Sequence, residues 1–339
     1  MAFNLVLLLI GVFACATAPI MIQMSVTPPV LMAGLRMAVA VAVLSPLFVR
    51  DLARAGKSFA RRDLRHALLP GAILALHFIS WIIGARMTEA ANCSLIVNMV
   101  PIAMPFFMFF MIREKITRPE LAGTVLAVAG VVLLAAADKN VSAAHFQGDM
   151  ICLISMLFLT YYLALSRKYR HVGSIWLYVV PVYAVGSAVC LLAAAVLPAT
   201  VLPGGPVTWE TFTTREVLLI LGLGVIPTVV GHSTLNYCMR HMRGQVVSIL
   251  SLFQFVFVGI MAYLIWRKLP IWALYPACAL LITGAVIVLK HQPGADNTSP
   301  APSTNTPPTP PGSAPGGTPG HDSPPTGSTP TRKCRGDEV

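Results

Sequence analysis

Residues 89–96 read Glu89-Ala90-Ala91-Asn92-Cys93-Ser94-Leu95-Ile96, and residues 243–250 read Arg243-Gly244-Gln245-Val246-Val247-Ser248-Ile249-Leu250. The segments lie 154 residues apart, and the same offset, without a gap, sets Ser94 on Ser248, Arg113 on Arg267 and Gly130 on Gly284. After each glycine comes a run of the same character, Val131–Leu134 and Ala285–Val288. A fixed offset of this kind marks an internal repeat.

Outward from these segments the chain is a series of long apolar runs. Hydrophobic residues make up 56% of it and charged residues only 11%, against roughly 25% charge in a soluble domain. A helix needs about 20 mostly apolar residues to cross the hydrocarbon core. Runs of that kind fall near 4–24, 29–49, 66–86, 91–111, 120–137, 149–166, 175–197, 217–236, 246–265 and 270–289. The offset lays the fourth run on the ninth and the fifth on the tenth, so each half holds five. Five is odd, so the second half crosses in the opposite sense. The sequence therefore predicts an all-α polytopic membrane protein: ten transmembrane helices in two inverted five-helix repeats, residues 1–138 and 149–290. Such inverted halves are the architecture of many secondary transporters, because nearly equivalent halves can exchange shapes around a central site.

The net charge of +11 is no nucleic-acid footprint, because the basic residues sit in short clusters between apolar runs. Loops after even-numbered runs carry fifteen Lys and Arg, and loops after odd-numbered runs carry five, among them Arg267 and Lys268. The positive-inside bias predicts cytoplasmic N- and C-termini. No Lys or Arg precedes Arg36, so the first run reads as a retained span and not a cleaved signal peptide. The seven cysteines form no CxxC and six lie in apolar runs, as small buried apolar residues do. Neither a disulfide framework, a metal site nor a cofactor is expected. Residues 291–339, rich in Pro, Gly, Ser and Thr as in Thr306-Pro307-Pro308-Thr309-Pro310-Pro311, read as a disordered cytoplasmic tail.

The stretch Met87–Leu134 resembles the EamA-type proteins of the drug/metabolite transporter superfamily. The likeness rests on Thr88–Ile96, Pro101, the loop Arg113-Glu114-Lys115-Ile116-Thr117, Gly123 and Gly130. The second half is similar through Pro227-Thr228, Gly231-His232, Asn236 and Val247-Ser248, and Arg36 and Gly148-Asp149 also resemble the family. The resemblance implies ten helices, both termini inside, and export or exchange of small metabolites across a bacterial inner membrane; amino acids and related compounds fit a pocket with one cation, several hydroxyls or amides and aromatic walls. It departs from the pattern at Gln254-Phe255, where the family often carries Glu-Pro, and at Arg267-Lys268, where it often carries Gly-Glu.

Polar side chains at membrane depth face the bundle interior or a wet cavity, which gives a short set of pathway candidates. Arg36 lies about 10 Å into the second run, as a bidentate donor to an anion or a cation paired with backbone carbonyls. Thr228, His232 and Asn236 share one α-helical face at i, i+4 and i+8, as a cavity lining or as interhelical hydrogen bonds. Ser94 and Asn98 share a face with Pro101 and Pro105, which predict a bend in the fourth run. His77 and Trp81 place an aromatic wall in the third run, and Ser248 and Gln254 complete the set from the ninth. Glu89 and His232 are candidates for proton coupling, with helix-dipole complementation as the other reading of Glu89.

Two other functions stay open on the sequence: a receptor or scaffold acting through the Pro-rich tail, and an intramembrane enzyme. Neither a P-loop, HExxH nor GxGxxG occurs, and no nucleophile is positioned beside His232. The expected partners are a small solute and the lipid bilayer, not a nucleic acid; the oligomeric state is left undetermined.

Overall fold

The structure, a computed structural model, describes residues 2–56, 59, 61–88, 90–137, 143–196, 212–267 and 272–291. Every regular element among them is helical: α1 (Ala2–Met24), α2 (Pro29–Ala55), the short α3 (Arg61–Arg65), α4 (Leu68–Met87), α5 (Ala90–Val97), α6 (Val100–Ile112), α7 (Arg118–Ala137), α8 (Ala143–Lys168), α9 (Ile175–Val196), α10 (Thr214–Leu223), a π-helical stretch (Gly224–His232), α11 (Ser233–His241), α12 (Gly244–Ser251), α13 (Phe253–Trp266) and α14 (Leu274–Lys290). Eight segments are long and apolar enough to cross a bilayer, against the ten expected runs. The other two runs are α7 and α14, whose apolar part Tyr275–Lys290 is shorter than a full span. The sixth run starts earlier than expected, at Ala143. Glu89 and residues 292–339, nearly all of the expected tail, lie outside the described residues.

Large apolar side chains such as Phe106, Phe110, Leu192 and Leu218 are more than 60% exposed. In water they would form a sticky surface; against lipid tails they are at home. Lipid gives no hydrophobic drive to bring helices together, so close packing of small residues must do it. The contacts of α7 with α14 show how. A Cβ on Gly123 would fall 2.6 Å from the Gly284 carbonyl oxygen, and one on Gly130 would fall 2.7 Å from that of Ala277. Positions 123 and 277, and positions 130 and 284, are each 154 residues apart, so the contact maps onto itself when the halves are exchanged.

A second pair of glycine contacts is alike in kind but not in register, since Gly84 and Gly231 are 147 residues apart. Gly84 of α4 packs on Gly148 and Cys152 of α8, with a Cβ there 2.6 Å from the Cys152 sulfur. Gly231 packs in the same way on Gly11 and Cys15 of α1, 2.5 Å from the Cys15 sulfur. The signal is a G-x-x-x-C pattern at Gly11–Cys15 and Gly148–Cys152, an offset of 137. The offset of 154 returns in a pair of arginines at helix ends. Arg86 donates to the carbonyls of Ser25 and Thr27 at 3.0 and 2.7 Å, bracing the α1–α2 loop. Arg240, again 154 residues on, donates to the carbonyls of Tyr169, Val172 and Gly173 in the α8–α9 loop.

The fourth run does not bend as one helix: it breaks at Asn98–Met99, and Pro101 sits in the first turn of α6. The missing proline N–H costs nothing in a first turn. The ninth run breaks at the equivalent place, Leu252, with no proline to announce it. Each broken run ends in a left-handed arginine, Arg113 at φ 58° and Arg267 at φ 54°.

The α7–α14 crossing gives a direct test. Gly123→Leu is expected to destabilise the purified protein by about 1–3 kcal/mol, because overpacking forces the backbones apart. Gly259→Ala, where nothing lies within 4 Å, is expected to be neutral or slightly stabilising. Thermal unfolding in detergent measures both.

Candidate functional site

The site is built on a proline. Pro227 has no N–H, so the carbonyl four residues earlier, Leu223, loses its helical donor. The Thr228 hydroxyl supplies one, donating to that oxygen at 2.7 Å. With its proton committed, the hydroxyl presents a lone pair, and Nε of Arg36 donates to it at 3.0 Å. The backbone follows the same disturbance: Gly224–His232 is π-helical, so the expected α-helical face of Thr228, His232 and Asn236 runs through a stretch of wider turn. All three side chains are buried nonetheless.

Arg36 is fully buried, and neither Nη1 nor Nη2 has a partner. Its guanidinium carbon lies 4.1 Å from the ring centre of Phe78 and 5.8 Å from that of Trp81. Both are cation–π distances. His77 lies parallel to Trp81 with centroids 6.0 Å apart. Its Nδ1 is 3.0 Å from the Ser155 carbonyl and 2.8 Å from the Ser155 hydroxyl, which itself donates to the His77 carbonyl. A carbonyl only accepts, so Nδ1 carries the proton and Nε2 of the neutral ring is an acceptor. The Phe78 and His232 rings meet edge to face at 4.9 Å, and Nδ1 of His232 has no partner.

His77, Trp81 and His232 line a cavity of about 20 Å³, room for about one water molecule. Five of the expected residues line it: His77, Trp81, Asn98, His232 and Gln254. Arg36 and Thr228 stand just behind, through Trp81 and Pro227. Asn236 is one step further out, donating to Tyr162 and to the His232 carbonyl, each at 2.6 Å. Gln254 donates to Asn98 at 2.8 Å, tying the start of α13 to the break before α6. Asn98 in turn donates to the Ser94 carbonyl, and Ser248 donates to the Gln245 carbonyl on its own helix. Ser94 and Ser248 are therefore buried but do not line the cavity. Cys15, Ala18 and Leu159 line it without having been foreseen; small and apolar, they gave no polarity signal. Pro105 removes the donor to the Pro101 carbonyl, and Gln245 restores it at 3.0 Å.

The bundle is tied at both ends. At one end Glu216 accepts from Ser25, from both the hydroxyl and N–H of Thr27, and from the N–H of Val26. At the other, Arg167 pairs with Glu114 at 3.2 Å, and Arg243 donates to Glu120 at 3.0 Å. Partial burial works to lower the Arg243 pKa, but the hydrogen bonds and charge of Glu120 outweigh it, so the net shift is upward. Among the described residues no group of three His, Cys, Asp or Glu could hold a metal ion.

Residues 2–136 match the EamA-like transporter family. The aromatic amino acid exporter YddG of Ancylobacter novellus is 23% identical over 220 residues, 64% of this chain and 72% of that protein. A crystal structure described only as that of a protein has the same fold, with a TM-score of 0.67, 19% identity, and coverage of 85% of this chain and 96% of that one. The family match and the exporter relative point to a membrane transporter and not an enzyme.

The ionic end is expected to be structurally demanding. Arg243→Ala leaves the Glu120 carboxylate, 4% exposed, without its cation, and is expected to destabilise by about 3 kcal/mol. Arg50→Ala, at the exposed pair with Asp51, is expected to change stability by less than about 1 kcal/mol. Thermal unfolding of both variants in detergent checks the contrast.

Proposed function

Because residues 2–136 are an EamA-like domain, we propose that the chain is a secondary transporter that exports small metabolites, amino acids or related compounds with a ring, by alternating access. The ring preference draws on the aromatic walls of Phe78, Trp81 and His77 and on the relative that exports aromatic amino acids. In this reading the two five-helix halves, residues 1–138 and 149–290, are inverted repeats, and α7 and α14 are the fifth and tenth spans. The observation that carries it is the contacts that recur at the offset of 154: Gly123 on Gly284 with Gly130 on Ala277, and Arg86 with Arg240.

Two matching conformations follow from two matching halves. The cavity is too small for an amino acid, so the cargo enters only as helices part. In one conformation the Glu216 clamp opens and the ionic end stays shut; in the other the roles reverse. The charge bias of the loops supports cytoplasmic termini and a cytoplasmic ionic end, in a bacterial inner membrane. His232 at the cavity and Glu89 are the groups available for proton coupling, and a carrier without either would run as an exchanger.

Proteoliposomes preloaded with unlabelled phenylalanine are expected to accumulate labelled phenylalanine by counterflow, unchanged chemically and without an imposed proton gradient. Removing residues 291–339 is expected to leave that flux intact. Absence of flux for phenylalanine and for a panel of other labelled amino acids would overturn the transporter reading. A strict requirement for a proton gradient would replace exchange by proton coupling.

A further inference from the structure

We infer that Arg36 is the anchor for a carboxylate on the cargo, and that the cargo's amino group is dispensable for recognition; the inference rests on the transporter reading above. The side chain is fully buried, yet only Nε is hydrogen-bonded, and both terminal nitrogens are free of partners. No Asp or Glu forms an ion pair with it among the described residues. The ionisable groups that interact with it include the Cys15 thiol, the Tyr183 phenol and the His77 and His232 rings, none of which is a carboxylate.

An arginine deprived of water, with an unused pair of terminal nitrogens, matches one kind of ligand best. A planar carboxylate takes two parallel N–H bonds from the guanidinium fork. The charge also balances, since one cation meets one monoanion. A dianionic phosphate would leave a surplus negative charge among apolar rings. Thr228 fixes the guanidinium through Nε, and Phe78 and Trp81 lie against it. The anchor is thus oriented before the cargo arrives, which reduces the entropy lost on binding.

The rest of the cargo meets a different surface. Trp81 and His77 are parallel and line the cavity, with His232 beside them. These rings receive a planar apolar group. None of the residues lining the cavity is acidic, so an ammonium group finds no counter-charge there. The acid group is therefore required, and the amine is tolerated without being read.

The test adds four ligands to the unaltered protein in detergent, and to one variant, with calorimetry and thermal unfolding as readouts. Phenylalanine and 3-phenylpropionate are expected to bind within about tenfold of each other. Phenylalaninamide and phenethylamine, which lack the carboxylate, are expected to bind at least about a hundredfold more weakly, because the guanidinium stays unpaired. Arg36→Lys, which keeps the charge and loses the fork, is expected to weaken both acids by about tenfold or more. Amide or amine binding as tight as the acids would overturn the anchor while leaving transport standing. Loss of binding on removing only the amino group would overturn the claim that the amine is dispensable. If none of the four binds while counterflow of another solute proceeds, the anchor falls alone; if that flux is absent as well, both readings fall.

Discussion

Within a bilayer, a backbone carbonyl that loses its helical N–H partner has no water to turn to. Prolines inside the helices create this problem at several points, and in three of them a side chain solves it. The Ser45 hydroxyl donates to the Ala42 carbonyl beneath Pro46. Gln245 reaches from α12 to the Pro101 carbonyl beneath Pro105. Thr228 donates to Leu223 beneath Pro227. The first repair is local and the second joins the two halves. The third determines the candidate site, because the direction of one hydroxyl proton fixes where the Arg36 guanidinium stands.

The energetics at Arg36 are out of balance in an informative way. Two aromatic faces offset about 1–2 kcal/mol of the cost of burying the cation, and one charge-assisted hydrogen bond about as much. Desolvating an ion costs several kcal/mol in a protein interior. The protein thus holds a cation at less than full compensation, and the shortfall is concentrated on two adjacent nitrogens. The surrounding helices tolerate it because they are held elsewhere, by Gly123 against Gly284, by Gly84 against Cys152, and by the ties at both ends. Strain kept at one place by tight packing at others is the usual condition of a functional site.

Helix positions were legible in the sequence because apolar run length is a direct consequence of bilayer thickness. The departures have local causes that run length does not carry. Leu252 breaks the ninth run although nothing in its side chain demands a break. The stretch from Gly224 widens to π because a proline and a threonine rearrange one carbonyl, which a four-residue stripe cannot reveal. The offset of 154 is visible in Ser94 and Ser248, whereas the likeness of Gly11–Cys15 to Gly148–Cys152, 137 residues apart, leaves no mark at that offset. In the site, polarity led to Arg36, His77, Asn98, His232 and Gln254, which the structure gathers around one cavity or just behind it. Polarity also led to Ser94 and Ser248, whose local backbone offers their polar groups closer partners. It was silent on Cys15, Ala18 and Leu159, because a wall of methyl and methylene groups looks the same in sequence whether it faces lipid or a chamber.

The two ends of the bundle are tied by different chemistry, and this bears on what a cargo has to do in the proposed cycle. The end with Glu216 is closed by neutral donors: two hydroxyls and two backbone N–H groups around one carboxylate. The other is closed by two guanidiniums and two carboxylates. Opening either end wets a carboxylate, so each tie is replaced by hydration and neither opening carries a prohibitive cost. A cargo shifts such an equilibrium only by binding the conformations unequally. Neither tie touches the cavity, so the inequality has to arise at the centre, between α2 and the stretch from Gly224 to His232. Arg36 and Thr228 sit on those two elements and are joined by one hydrogen bond. In the proposed cycle, an anion on the free nitrogens would compete for the guanidinium and so act on that bond, whose partners lie on the two elements.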